Sequence, residues 1–168
     1  MNSKGLRMIV VLLLLCCGLS VYALTEGSTE RLELDAAEVY KISYIAKLGE
    51  RECINIENPA YVEQIVEAVN RLDLRKSKFK LAKAEVTQMS ALAIICGDVF
   101  SGEPIESVCL VFVPENRVLV NGTETEGYYT ADFAALLSLA DEIGTETLQE
   151  DPYATGGMMI AFPEEMLE

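Results

Sequence analysis

The sequence contains no histidine, and this omission decides most of the chemistry that the chain can perform. Ser-His-Asp and Cys-His nucleophiles, HExxH zinc helices and the usual imidazole general base all require that residue. A carboxylate pair drawn from the 27 Asp and Glu residues could hydrolyse a glycoside, but sugar clefts generally use aromatic platforms and the chain has no tryptophan. A Ser77-Lys78 dyad is disfavoured because adjacent strand residues point to opposite faces. The sequence therefore favours a noncatalytic protein, with a histidine-free hydrolase as the alternative.

Motifs for metals, phosphates and cofactors are also missing from the sequence. Gly97-Asp98 and Gly102-Glu103 lack the Asp-x-Asp spacing of a calcium loop. The Gly156-Gly157 doublet follows no predicted strand and lacks the Lys-Ser or Lys-Thr partner of a phosphate loop. We therefore expect neither a cofactor nor a bound metal.

Residues 71–83, RLDLRKSKFKLAK, form a basic segment with a formal charge of +5. In an extended strand, Lys76, Lys78 and Lys80 project to one side, and we call these three side chains the lysine row. The row could bind an anionic polymer of the cell envelope or an acidic protein partner. In the alternative interpretation, it protects an edge strand from sheet-to-sheet pairing or balances the acidic body.

A second candidate contact is the pair Tyr128-Tyr129, which is predicted to be extended. Adjacent residues of a strand point to opposite sides, so one ring is expected in the core and the other at the surface. The candidate partner contacts are therefore Lys76, Lys78, Lys80, Tyr128 and Tyr129.

The first 23 residues have the features of an export signal. Lys4 and Arg7 form a short cationic lead before an apolar run from Met8 to Cys17. After this run, Val21-Tyr22-Ala23 provides the small-x-small exit that signal peptidase cleaves. The run is shorter than the roughly 20 apolar residues of a membrane-spanning helix, which favours cleavage over an uncleaved anchor. We expect a location outside the cytoplasmic membrane, either secreted or attached to its outer face.

Lipidation of Cys16 or Cys17 is a further alternative, in which an acylated cysteine becomes the new N-terminus. The bulky Leu14-Leu15 pair before these cysteines departs from the small residues that lipoprotein processing prefers. The membrane would be contacted only through such an N-terminal anchor. Loss of residues 1–23 would change the formal net charge from −14 to −16, which argues against nucleic-acid binding.

The other cysteines are Cys53, Cys96 and Cys109, and their apolar strand contexts favour buried free thiols. Cys96 and Cys109 flank a predicted hairpin turn, so a disulfide is an open alternative. A turn centred on Ser101-Gly102 would pair Cys96 with Ser107, whereas a longer loop would pair it with Cys109.

Hydrophobic periodicity predicts an α+β protein, with an antiparallel sheet of five or six strands and two helices packed on one face. Asn58 is placed as the N-cap of the first helix and Pro59 as its first residue. The second helix is predicted to be capped by Thr130 and to stop at Gly144. The predicted strands include 39–47, 53–56, a strand within the basic segment, 90–96, 105–113 and 117–120.

The order of hairpin, NPAYVEQIVEAVNRL helix, lysine-rich stretch and meander ending NG…GYY resembles small exported α+β domains of Gram-positive gut-type bacteria. The similarity covers roughly residues 36–143 and depends on pattern rather than on a specific signature. Many of those domains are lipoproteins, so the resemblance implies a location and a shape without supplying a functional site.

We therefore predict a signal peptide over 1–23, a polar lead over 24–35, a single α+β domain over 36–144 and an acidic, loosely ordered tail over 145–168. The predicted function is that of an exported noncatalytic binding or interaction module. A secreted inhibitor or peptide-capturing domain that uses an exposed strand edge is the third alternative, beside the hydrolase.

Overall fold

Nine strands and two α-helices form in the part of the chain that the computed structural model describes, residues 29–48, 53–79, 83–97, 106–122 and 127–156. The strands are β1 (Thr29–Glu30), β2 (Val39–Ile45), β3 (Cys53–Ile56), β4 (Leu74–Lys76), β5 (Ser90–Cys96), β6 (Glu106–Val113), β7 (Arg117–Asn121), β8 (Gly127–Thr130) and β9 (Thr155–Gly156). The helices are α1 (Pro59–Asn70) and α2 (Ala134–Glu150), and short 3-10 helices span Ala36–Glu38 and Lys83–Gln88.

The strands form one antiparallel sheet in the order β1-β4-β8-β7-β6-β5-β2-β3-β9. The predicted α+β class, with two helices and a single antiparallel sheet, is confirmed. The predicted number of five or six strands is wrong, since the sheet has nine. The additional strands include β1 and β9, which have two residues each and are too short to show an alternating pattern.

Two apolar clusters cover the two faces of the sheet. The larger one joins the inward stripes of both helices to side chains of the central strands, among them Ile42, Leu92 and Leu110. The smaller one lies on the opposite face, with Met89, Val111, Val113 and Leu119 at its centre. Strands β5 to β7 can therefore be apolar on both faces, because each face has an apolar cover.

Helix α1 begins and packs as the sequence predicts. The Asn58 side chain accepts a hydrogen bond from the Ala60 N–H at 3.1 Å, and Pro59 occupies the first turn, where no backbone donor is needed. The buried stripe consists of Val62, Ile65, Val66 and Val69.

Helix α2 continues past Gly144, so the predicted end of this helix is wrong. Gly144 is buried inside the helix, and a Cβ atom at this position would lie 3.0 Å from Ile54 Cδ1. The glycine therefore permits close packing of α2 on β3 instead of terminating the helix. The predicted Thr130 cap is also wrong, because α2 begins at Ala134 after an N-cap residue, Phe133, that makes no side-chain capping bond.

Described secondary structure consequently continues beyond the predicted domain limits of 36 and 144 on both sides. Residues 145–150 complete α2, and β9 follows, although 145–168 was predicted to be a loosely ordered tail. In the predicted polar lead, β1 pairs with β4 and Leu32 is buried. The predicted signal peptide, Cys16, Cys17 and residues 157–168 lie outside the described residues. Within the described ranges, no helix is both long and apolar enough to cross a membrane.

The three described cysteines are free thiols. Cys96 lies opposite Glu106, and Cys109 lies opposite Ala93, so neither register considered from the sequence is formed. Cys96 packs against the helix-side cluster and Cys109 against the cluster on the other face. A Cys96–Cys109 disulfide is incompatible with this register, because the two side chains lie on opposite faces of the sheet.

Replacing Gly122 with alanine is expected to destabilise the fold by about 3 kcal/mol. Gly122 has φ of +85°, and an added Cβ would overlap the backbone carbonyl oxygen of Ser107 in the neighbouring strand. Gly97→Ala is the matched control, because Gly97 has φ of +94° but open space around the added carbon. The control should lose only about 1 kcal/mol, the usual cost of this backbone conformation. Urea unfolding measures the free energy of unfolding of both variants. Equal decreases in Gly122→Ala and Gly97→Ala would contradict the steric explanation.

Candidate functional site

The lysine row does not lie on one strand. Strand β4 ends at Lys76, and the Ser77 N–H makes one further backbone bond to Tyr128 before the pairing stops. Lys78 therefore follows the strand, and Lys80 lies outside the described residues. The expectation of a strand that carries all three lysines is wrong. Because β4 lies between β1 and β8, the interpretation of the row as protection for an edge strand also loses its basis.

Tyr128 and Tyr129 lie in different environments, as the alternation of side chains along a strand predicts. Tyr129 is fully buried, so its ring cannot serve as a partner contact. Tyr128 is half-buried and packs edge-on against Phe79, with ring centroids 5.4 Å apart. This contact belongs to the smaller apolar cluster, which explains why Tyr128 is only partly available to a partner.

Glu30 connects two of the predicted contacts, and we call this arrangement the Glu30 bridge. Its carboxylate accepts a hydrogen bond from the Tyr129 hydroxyl at 2.8 Å and pairs with Lys76 Nζ at 2.8 Å. Hydrogen bonds from Lys76 and then Tyr129 lower the pKa of Glu30. Burial, together with the hydrogen bond to Glu30, raises the pKa of Tyr129 to about 12. The bridge thus holds an anionic carboxylate and a neutral phenol, and it compensates the charge of Lys76.

Arg75 and Lys78 are two basic residues of this segment for which the described residues provide no ion-pair partner. Both side chains are exposed. Nearby, Arg31 is instead paired with Asp73 at 2.7 Å. We call Arg75, Lys76 and Lys78 the basic corner, which lies near the β1 end of the sheet and in which Arg75 and Lys76 project from opposite faces of β4.

An acidic cleft lies near the opposite end of the sheet. It has a volume of about 280 Å³ and is lined by Asn55, Glu57, Asn58, Thr147, Glu150, Asp151, Tyr153 and Ala154. Three of these residues are carboxylic acids, and none is basic. Two backbone hydrogen bonds connect the segments that form the wall of the acidic cleft. The Asn55 N–H donates to the Ala154 carbonyl, and the Asp151 N–H donates to the Thr147 carbonyl, both at 2.8 Å.

A second, more open cleft of about 610 Å³ separates residues 31–36 from α1. The Asn70 side chain ties this segment to the helix, accepting from the Leu34 N–H at 3.0 Å and donating to the Leu34 carbonyl at 2.8 Å. The described wall of this cleft contains Arg31 as well as carboxylates, so it carries charges of both signs.

The reactive side-chain types are held in unreactive forms. Burial raises the pKa of the Cys53, Cys96 and Cys109 thiols, which disfavours the nucleophilic thiolate. Burial and a hydrogen bond to Asp141 raise the pKa of Tyr44. Among the described residues, no group of three or more cysteine or carboxylate side chains is arranged to hold a metal ion.

Sequence reasoning missed Glu30 and the acidic cleft. Glu30 and Tyr129 are 99 positions apart, and no local pattern connects them. The predicted loosely ordered tail over 145–168 includes Thr147, Glu150 and Asp151, because the sequence predicts that the second helix stops at Gly144. The spacing along the helix is a signal that the sequence does contain, because Thr147 follows Ile143 by four residues and so lies on the same helical face. In the structure both residues are buried.

Comparison of the chain with protein-family models, curated proteins and solved structures finds no match. The resemblance to exported domains of Gram-positive gut-type bacteria therefore stays a prediction. The function has to be inferred from the chemistry of the charged surfaces and clefts described above.

Replacing Glu30 with glutamine is expected to lower the free energy of unfolding by about 1 kcal/mol at pH 7 and by less at pH 3. A lowered pKa means that Glu30 stabilises the folded state above its ordinary value of 4.5 and loses this contribution as the pH falls through the folded value. Urea unfolding at both pH values measures the difference. Glu33→Gln, at an exposed position, is the control, and a loss at Glu30 that is independent of pH would contradict this role.

Proposed function

We propose that this protein is an exported, noncatalytic binding module that works outside the cytoplasmic membrane, secreted or attached to its outer face. The observation that carries the noncatalytic part of this proposal is that the described thiols are wholly or partly buried and that the buried phenols Tyr44 and Tyr129 donate to carboxylates, which raises the pKa of each of these groups. With no histidine in the sequence, thiols and phenols are candidates for nucleophile and general base beside serine and threonine hydroxyls, carboxylates and lysines.

The hydrolase alternative has less support from the described carboxylates. A glycosidase needs one carboxyl group that stays protonated near neutral pH, which requires a raised pKa. The pKa of Glu30 is displaced in the opposite direction, because Lys76 and Tyr129 both stabilise its anion.

Capture of a peptide by an open sheet edge is the other alternative. The outermost strands of the described sheet, β1 and β9, contribute two described residues each, Thr29–Glu30 and Thr155–Gly156. Strand addition gains its affinity from a row of main-chain hydrogen bonds, and this described part of each edge offers few of them.

The partner that best fits the basic corner is an anionic polymer of the cell envelope. Arg75 and Lys78 are exposed cations on a chain with a formal net charge of −14, so this corner would attract a polyanion that the acidic parts of the surface repel. The export signal would place the corner where such polymers occur. Lys76 would contribute less, because Glu30 already compensates its charge.

Replacing Arg75 and Lys78 together with glutamine is expected to weaken binding to a purified teichoic-acid fraction by about tenfold or more. The matched control is Gln64→Glu with Gln149→Glu, which gives the same net charge by changing two exposed positions on the helices. The control should bind like the unmodified protein, and the melting temperature of both variants should stay within a few degrees. Equal weakening in the two variants, or no binding by the unmodified protein, would refute the proposed corner.

A further inference from the structure

We propose that the acidic cleft binds a primary ammonium group, either the head of a lysine side chain or one end of a free diamine. This inference goes beyond the binding function proposed above, because it concerns a different surface and a ligand of the opposite charge. It follows from the charge of the cleft wall, from an unpartnered buried hydroxyl and from the size of the space.

The charge of the wall favours a cation. Glu57 follows β3, Glu150 ends α2, and Asp151 is the C-cap of that helix, so three carboxylates from two parts of the chain line one space. The carboxyl end of a helix adds a partial negative charge, and α2 has no basic residue in its last turn to offset it. Within the described residues, no ion pair is formed by these three carboxylates.

The neighbouring phenol gives a second indication of the negative potential. Tyr61 lies on α1, and its hydroxyl donates to Glu150 at 3.4 Å. Its pKa is raised to about 12, chiefly by its hydrogen bond to Glu146, with Glu150 also contributing. An anion is therefore disfavoured beside the cleft.

Thr147 supplies the observation that points to a hydrogen-bonding ligand. This residue lines the cleft from α2 and is only 9 % exposed. Among the described residues, its Oγ1 is the buried side-chain polar atom that has no hydrogen-bond partner. A buried hydroxyl without a partner is costly, and we place the ammonium where one of its N–H donors would satisfy this oxygen.

The composition of the cleft favours a primary ammonium over a quaternary one. Its volume of about 280 Å³, just below the roughly 300–1,000 Å³ of pockets for drug-sized ligands, suits a small ligand. Among the described residues of the wall, Tyr153 is the single aromatic one, so this part of the wall forms no aromatic cage of the kind that holds a quaternary ammonium. Three N–H donors can instead be shared among carboxylate oxygens and the Thr147 hydroxyl. The ring of Tyr153, which is 89 % exposed, can cover an alkyl stem.

Titration of the purified protein with 1,5-diaminopentane and with N-acetyl-lysine amide tests the proposal, with calorimetry and amide NMR shifts as readouts. We expect saturable binding with a dissociation constant on the order of 1 mM or tighter, and shifts centred on Thr147 and Ala154. Tetramethylammonium, which has the charge but no N–H donor, should bind at least tenfold more weakly. Binding of only one amine would identify the free diamine or the lysine side chain as the source. Absence of saturable binding by both amines, or equal binding of tetramethylammonium, would overturn the proposal.

Variants of the cleft separate specific binding from general attraction to an acidic surface. Glu57→Gln and Glu150→Gln should each weaken amine binding by about fivefold. The controls Glu63→Gln and Glu142→Gln remove the same charge from exposed helix positions outside the cleft, and should change the affinity by less than twofold. Equal weakening by cleft and control variants would show only a nonspecific charge effect and would reject the site.

Thr147→Val gives the sharpest test, because it removes the hydroxyl and preserves the shape of the side chain. We expect about fivefold weaker amine binding with an unchanged or higher melting temperature, since no internal hydrogen bond is lost. Unchanged affinity would remove Thr147 from the site and contradict the proposal. A lower melting temperature would also contradict it, because that result would reveal an internal partner for the hydroxyl.

Discussion

The pairing of β5 with β6 is the constraint on which the rest of the structure depends. Seven consecutive residue pairs, from Ser90↔Phe112 to Cys96↔Glu106, fix which side chains of these strands face the helices. A slip of one residue would turn each strand's helix-facing side chains to the other face. The remaining strands extend outward from this pair, with β2 and β3 leading to the acidic cleft and with β7, β8 and β4 leading to the basic corner.

This arrangement separates the two charged surfaces. Strands β4 and β3 are six strand spacings apart in the sheet, which corresponds to roughly 29 Å if the sheet is treated as flat. The Debye length at physiological ionic strength is about 8 Å, so each surface is largely screened from the other. A cation in the cleft and an anion at the corner would therefore be bound nearly independently, as long as neither ligand spans the sheet.

Structure could be predicted from the sequence where a single element carries its own local pattern. It could not be predicted where the structure depends on contacts between distant elements. Asn58, Pro59 and the following apolar stripe predicted α1 because cap, ring constraint and periodicity are all local. Gly144 was misread because the packing of α2 on Ile54 is a tertiary contact, which overrides the usual preference of glycine for helix ends. That error removed Thr147 and Glu150 from the predicted domain, and the acidic cleft with them. The helix-side core was therefore largely predictable, whereas most of the charged surface was not.

The buried phenols also bear on the proposal that the protein binds a ligand and catalyses no reaction. Tyr44 donates to Asp141 and so ties β2 to α2, while Tyr129 donates to Glu30 and so ties β8 to β1. A phenol that donates to a carboxylate stays protonated, which stabilises the fold but removes both groups from acid–base chemistry near neutral pH. The charges at Arg75 and Lys78 and in the cleft, by contrast, belong to exposed side chains that form no ion pair within the described residues. Such charges can recognise a ligand without disturbing the core, and this division between structural and exposed polar groups is what a binding module requires.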